Sequence, residues 1–198
     1  AAVRLNGAPA GTGIGIGGIG RGSTFILWDT WFAPDQWVSG RVIAIDGVEP
    51  EISRITGGLR NAHLGEELLA GADFDGNGQP DLFLGDLRGQ GPNGASAGTG
   101  YVFFDAATIR SRGFNVDEMP RDVRCTIIQG VSAGALSADA AAWGDLDGDR
   151  FDDLVITSPH EYPSFRASAG SLHAIYGQAT GWPAEIDLAA NRLPDSVR

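Results

Sequence analysis

Two acidic loops of one design, 72 residues apart, constrain this chain more than any other feature. The first lies in Leu69-Ala70-Gly71-Ala72-Asp73-Phe74-Asp75-Gly76-Asn77-Gly78-Gln79-Pro80-Asp81-Leu82-Phe83-Leu84-Gly85. The second lies in Ala142-Trp143-Gly144-Asp145-Leu146-Asp147-Gly148-Asp149-Arg150-Phe151-Asp152-Asp153-Leu154-Val155-Ile156-Thr157. Aligning Asp73 with Asp145 also aligns Leu82-Phe83-Leu84 with Leu154-Val155-Ile156. Self-similarity at this scale means one small structural unit used more than once, each copy burying a face against its neighbour. Beyond the loops, Gly100-Tyr101-Val102-Phe103-Phe104 answers Gly170-Ser171-Leu172-His173-Ala174-Ile175-Tyr176. A degraded third copy lies upstream. There Ser23 to Trp28 resembles the strand after each acidic loop, and Gly40 to Ile45 resembles the Gly-led strand that follows. Gly13 to Gly20 stands where that copy's loop belongs and carries no carboxylate.

The unit reads as short strands joined by turns. Leu82-Phe83-Leu84 and Leu154-Val155-Ile156 are brief apolar runs bounded by turn residues, the pattern of buried strands. No amphipathic helix stands out, and the repeat phase makes the Ala-rich stretch from Ser137 to Ala142 a strand. Glycine numbers 30 of 198 residues, about twice the average share of roughly 7%. It holds no period of three, which excludes collagen. With 42% hydrophobic and 20% charged residues, the chain has enough apolar surface for a packed core. Four-stranded units repeating at this scale predict an all-β fold, a partial β-propeller of about three blades. The expected units are residues 1–58, in degenerate form, then 59–130 and 131–198. Three blades do not close a ring, so open faces are expected to meet other protein chains or further blades of a longer chain.

Both loops place oxygen-bearing side chains at relative positions 1, 3, 5 and 9: Asp73, Asp75, Asn77 and Asp81, then Asp145, Asp147, Asp149 and Asp153. The backbone carbonyls at position 7, Gln79 and Phe151, can add a ligand to each set. Glycines allow the tight curl. Two unit charges about 5 Å apart repel by roughly 3 kcal/mol at an effective dielectric near 20, so such a loop needs a cation or protons. Hard oxygens in a flexible loop favour Ca2+ over Zn2+, and the ligand number favours it over Mg2+. An EF-hand needs an acidic ligand at position 12, and Leu84 and Ile156 stand there instead. Two calcium sites are therefore expected. The alternative is a pair of solvated hairpin turns rich in Asp and Asn.

These residues resemble FG-GAP repeats, the blades of the integrin alpha-subunit propeller and its bacterial relatives. The family loop runs Asp-x-Asp/Asn-x-Asp/Asn-Gly-x-x-Asp, then an apolar strand, a Gly-Ala-Pro-like turn and a Gly-led strand. Asp73 to Asp81 fit throughout. Asp145 to Asp153 depart at Arg150, where the family has Gly, and a left-handed backbone there would cost about 1 kcal/mol. Asp152 before Asp153 follows the family, and Thr157-Ser158-Pro159 stands in place of Gly-Ala-Pro. The resemblance covers Leu64 to Asp187 well and Gly11 to Gly58 weakly. It implies calcium-binding hairpin loops between the first and second strands of each blade, with a structural ion. It carries no adhesion residue onto this chain.

Acidic residues outnumber basic ones, 25 to 14, for a net charge of -11, and every basic residue is Arg. Such a chain is repelled by phosphate backbones, which argues against nucleic acid as a partner. Cys125 is the only cysteine, so no internal disulfide is expected. No apolar run reaches transmembrane length. Ala1-Ala2-Val3 would suit the position after a removed signal peptide, in keeping with a secreted, periplasmic or cell-surface location. Gly13-x-Gly15-x-x-Gly18 matches a dinucleotide fingerprint in form only, without the strand before it and helix after it. Trp28, Trp31, Phe32 and Trp37 cluster within ten residues. They read first as packing, and otherwise as a sugar-stacking or interface patch. His63, His160, His173, Glu66, Glu67 and Glu161 fall into no catalytic spacing, and no Gly-x-Ser-x-Gly elbow is present. The stretch from Ile109 to Arg124, with Arg110, Arg112, Arg121 and Arg124 around Asp117 and Glu118, reads as a long charged connection. The expected function is a non-catalytic, calcium-stabilised extracytoplasmic module for protein–protein interaction, adhesion or assembly. The alternative is a carbohydrate-binding module or part of a polysaccharide-active enzyme.

Overall fold

The computed structural model describes residues 4–6, 23–27, 42–44, 52–58, 62–162, 169–189 and 197. The fold is all-β. The strands are β1 (Arg4–Asn6), β2 (Ser23–Leu27), β3 (Val42–Ala44), β4 (Ile52–Thr56), β5 (Leu64–Ala72), β6 (Asp81–Asp86), β7 (Thr99–Phe103), β8 (Gly113–Asn115), β9 (Cys125–Gln129), β10 (Ala141–Gly144), β11 (Asp153–Ser158), β12 (Ser171–Ile175) and β13 (Glu185–Asp187). The helical structure among the described residues is limited to 3-10 turns at Ala106–Ile109 and Val116–Glu118.

The middle sheet is an antiparallel meander of β5, β6, β7 and β9, with β13 added parallel to β9. On one side lies the sheet of β10, β11 and β12; on the other lies β2, β4 and β8. A continuous apolar run suits a strand covered on both faces, and β6 is buried throughout. Its alternation sorts the two cores. Phe83 joins Phe74, Val102, Ile128, Leu154, Ile156, Ile175, Trp182 and Ile186 in one core. Leu82 and Leu84 join Ile55, Leu64, Tyr101, Phe103, Ile109 and Val116 in the other. Each fully buried Phe or Leu of this kind stabilises the fold by about 1.5–3 kcal/mol. Among the described residues the sheets remain open: they stack face to face and do not close on themselves.

The 72-residue offset holds from strand to strand. β6 and β11 start at Asp81 and Asp153, β7 and β12 at Thr99 and Ser171, and β8 and β13 at Gly113 and Glu185. The isolated antiparallel bridge Ile175↔Val197 repeats the Phe103↔Cys125 pair of β7 and β9. β8 and β13 also play one role. Each joins, in parallel, an outer strand of the neighbouring sheet: β8 pairs with β4 and β13 with β9. Adjacent units are thus stitched by backbone hydrogen bonds as well as by side-chain packing.

Several expectations change. β2 pairs directly with β4 as β7 pairs with β9, so Ser23–Leu27 matches the Gly-led strand of the later units rather than the strand after an acidic loop. β3 sits outside these sheets, paired in parallel with β1, and is not the Gly-led strand it resembled. The counterpart of Gly170 is Gly98, not Gly100; both adopt positive φ, 70° at Gly170 and 88° at Gly98. Gly100 has a packing reason, since a Cβ there would lie 2.8 Å from Phe83 Cε2. The Ala-rich stretch is strand only from Ala141 onward, and Ser137 to Ala140 form turns. The connection from Ile109 to Arg124 is long because it delivers β8 to the next sheet. Gly11 to Gly22, Gly40 and the cluster of Trp28, Trp31, Phe32 and Trp37 lie outside the described residues.

Candidate metal centre

Both acidic loops are hairpin connections, one between β5 and β6 and one between β10 and β11. Short Asp and Asn side chains tie down backbone N–H groups within two to five residues and so compete with ladder pairing. In the first loop the Asp73 carboxylate accepts from Asn77 N (3.0 Å) and Gly78 N (2.8 Å). In the second, Asp145 accepts from Gly148 N (2.7 Å), Asp149 N (3.2 Å) and Arg150 N (3.1 Å). Asn77 Oδ1 takes the N–H of Gln79 at 2.7 Å, and Asp149 Oδ1 takes that of Phe151 at 2.9 Å. The closing residues match too. Asp81 accepts from Phe74 N and Asp105 N, both at 2.9 Å. Asp153 accepts from Leu146 N (2.7 Å) and Gly177 N (2.8 Å).

Backbone conformation repeats at the same offset. Gly76 and Gly148 have φ of 68° and 85°, and Gly78 and Arg150 both have φ of 80°. Arg150 therefore holds the left-handed turn its counterpart glycine holds, at the steric cost of its Cβ.

Carboxylate oxygens of Asp73, Asp75 and Asp81 lie within 4.8 Å of one another, as do those of Asp145, Asp147 and Asp149. Asp153 is not in the second triplet; it is fully buried and holds two backbone N–H groups. Asn77 lies in the first loop with its amide spanning Gln79 N and Asp105 Oδ1, at 2.7 Å each. The N–H groups of Gln79 and Phe151 are held by Asn77 and Asp149 in the same way.

The loops differ in electrostatics. Burial pushes the Asp81 carboxyl up to about 6; the N–H groups of Asp105 and Phe74 oppose this, and the charges of Asp75 and Asp73 add to it. Asp147 is likewise raised, first by desolvation, then by Asp149, Asp153 and Asp145, against the Asp149 N–H. Asp75 is buried and paired with Arg124, Nη1 to Oδ2, at 2.6 Å. That guanidinium also lies 4.3 Å from the centre of the Phe104 ring. Its counterpart carboxylate, Asp147, is exposed and accepts from Asp149 N at 3.2 Å.

The roles of three residues are not visible in the sequence. Asp105 holds Asn77 and donates its N–H to Asp81, but its counterpart is Gly177, so the repeat gave no sign of it. Arg124 sat in the charged connection with nothing to tie it to a loop 49 residues away. Asp152 accepts from Asp73 N at 2.8 Å, across the two loops.

A second cluster gathers Glu161, Ser171 and His173. The Ser171 hydroxyl donates to the Glu161 carboxylate and lies 3.0 Å from His173 Nε2. Glu161 Oε2 is 3.8 Å from that same Nε2. A triad needs its acid on the opposite ring nitrogen from the nucleophile, so this arrangement is not one. Burial lowers the His173 pKa, and Glu161 partly offsets that.

Residues 137–175 match the family model described as FG-GAP repeat, which spans the second loop from β10 to β12. That family is typically non-catalytic and extracellular. No curated protein matches the chain. Among the described residues, no helix is long and apolar enough to cross a membrane.

Proposed function

We propose, from the FG-GAP repeat at residues 137–175, that this is a calcium-stabilised propeller-type module that works outside the cytoplasm by binding other proteins. The observation that carries the reading is the second loop's design. It recurs 72 residues upstream with the same hydrogen-bonded cage and the same left-handed positions. The donor sets fit a hard cation: Asp73, Asp75, Asn77, Asp81 and the Gln79 carbonyl in one, Asp145, Asp147, Asp149, Asp153 and the Phe151 carbonyl in the other. All are oxygens, and neither set includes sulfur or imidazole, which favours Ca2+ over the softer transition metals. A bound ion would relieve repulsion among crowded carboxylates and pin each hairpin, a stabilising role.

The interaction reading is supported by apolar surface left open on the first strands of two adjoining sheets. Leu68 on β5 is 46% exposed and Trp143 on β10 is 43% exposed. Further propeller blades or a protein partner would cover them. The glycan alternative rests on the Trp28 to Trp37 cluster, which lies outside the described residues.

Thermal melting in chelator and in excess Ca2+ tests the metal. The midpoint is expected to rise in Ca2+, by about 2.7 kcal/mol of stability at a hundredfold excess over Kd for one site. An unmoved midpoint, with Asp145→Ala equally silent, would refute it. Sedimentation of the isolated chain tests the partner claim, which a stable, monodisperse monomer would contradict.

A further inference from the structure

We infer that the two acidic loops bind their cations cooperatively, coupled through Phe151, Asp152 and Asp153. The inference rests on the reading above that both loops hold Ca2+. Phe151 and Asp152 of the second loop reach the first loop directly, and Asp153 reaches it through Gly177 and Gln178. Phe151 lays its ring against Gly76, so closely that a Cβ on Gly76 would collide with it. Asp152 exchanges two hydrogen bonds with Asp73: Asp73 N donates to Oδ2 at 2.8 Å, and Asp152 N donates to Asp73 O at 3.2 Å. Asp153 accepts from Gly177 N at 2.8 Å, and the next residue, Gln178, donates its N–H to Phe74 O at 3.0 Å. Phe74 N in turn donates to Asp81 at 2.9 Å.

Asp73 of the first loop is thus held directly by the segment that ends the second, and Asp81 is linked to it through Phe74 and Gln178. Phe151 is the carbonyl ligand of one loop and the steric neighbour of the other's turn glycine. Asp152, which is not in either ligand set, is the bridge. A loop that curls to meet a cation must fix Phe151 to Asp153. Fixing them orders Asp73 and Gly76, so the second binding event has less conformational entropy left to lose. Linkage then requires the benefit to be mutual.

The test is a calorimetric Ca2+ titration of the whole, chelator-stripped chain. Asp75→Ala disables the first loop and touches none of the bridging contacts. It is expected to weaken Ca2+ binding at the second loop by roughly fivefold or more. Asp145→Ala should weaken the first loop by the same factor. In an Asp152→Ala background, which removes the Asp73 N to Oδ2 bond and leaves the Phe151 and Asp153 contacts, either knockout should change the remaining loop's affinity by a clearly smaller factor. Asp152→Asn keeps an oxygen acceptor for Asp73 N and should keep the coupling. Two sites that bind Ca2+ with affinities indifferent to each other would overturn the coupling and leave the calcium reading intact. So would coupling of undiminished size in the Asp152→Ala background. Absence of any binding by the unmodified chain would overturn both readings.

Discussion

Removing the cation should leave Asp81 contributing to stability with a pH dependence opposite in direction to ordinary acid denaturation. Its carboxyl is 1% exposed, and its pKa is pushed from 3.8 up to about 6, chiefly by burial. A carboxyl raised on folding favours the folded state while protonated. Its contribution is fully present below 3.8 and is lost as pH rises through about 6. A difference of about two units, at 1.36 kcal/mol each, makes this about 3 kcal/mol. Asp86, raised by burial, and Asp147 act with the same sign. His173, lowered by burial, acts oppositely: its neutral form suits the fold, so stability is lost as pH falls through its titration.

The assay is urea unfolding from pH 4 to 7.5 in chelator, comparing the unmodified chain with Asp81→Asn. The amide is neutral at every pH. Its NH2 cannot accept from one of the two N–H groups at 2.9 Å, which lowers stability by a constant amount. Because His173 and the other carboxyls are shared, the difference between the two chains isolates Asp81. The unmodified chain should lose about 2 kcal/mol relative to the variant between the ends of the range, since at pH 4 part of the full contribution is already gone. In saturating Ca2+ the ionised carboxylate is the form that binds, so the loss should vanish or reverse. Parallel pH profiles for the two chains in chelator would refute the reasoning.

Arg124→Ala should destabilise the chelated protein by roughly 2 kcal/mol, since it strands the buried Asp75 carboxylate without its charged partner. In saturating Ca2+ the loss should fall below about 1 kcal/mol, a contrast that denaturant midpoints in the two buffers will show. Gly98→Ala should cost more than about 3 kcal/mol, because a Cβ collides with the Ser137 carbonyl and φ is already 88°. Gly134→Ala, at φ 76° with open space around it, should cost only about 1 kcal/mol. Comparable midpoints for the two alanine variants would show that backbone conformation, not collision, decides at Gly98.

The all-β class and the hairpin position of both loops were legible because a strict repeat reports on itself. Leu82-Phe83-Leu84 and Leu154-Val155-Ile156 carry the apolar run of doubly covered strands, and the loops between strands carry turn chemistry. The first unit was misread because Gly40-Arg41-Val42-Ile43 mimics the Gly-led strand locally, while pairing partners are settled by the sheet. Only the match of β2 to β4 with β7 to β9 shows which strand Ser23–Leu27 is. β8 was invisible for a related reason: Gly113-Phe114-Asn115 is three residues long, and a parallel partner in the neighbouring sheet leaves no local signature.

The repeat also conceals how the loops differ, because it records the acidic positions and not what surrounds them. Asp75 and Asp147 are the same residue at the same position. One is buried against a guanidinium, and the other is exposed with like charges as neighbours. Arg124 and Asp105 create that difference, and both lie outside the repeated motif. In the chelated protein Arg124 already offsets one carboxylate of the first loop, and Asp105 holds Asn77 in place. The second loop has four carboxylates at its proposed ligand positions, exposed save Asp153, and a strained Arg150 at its turn. Ordering by a cation should therefore matter more to the second loop. Through Asp152 that order can be passed to the first, so the loop that most needs the ion is also the one whose closing residues reach across to its neighbour.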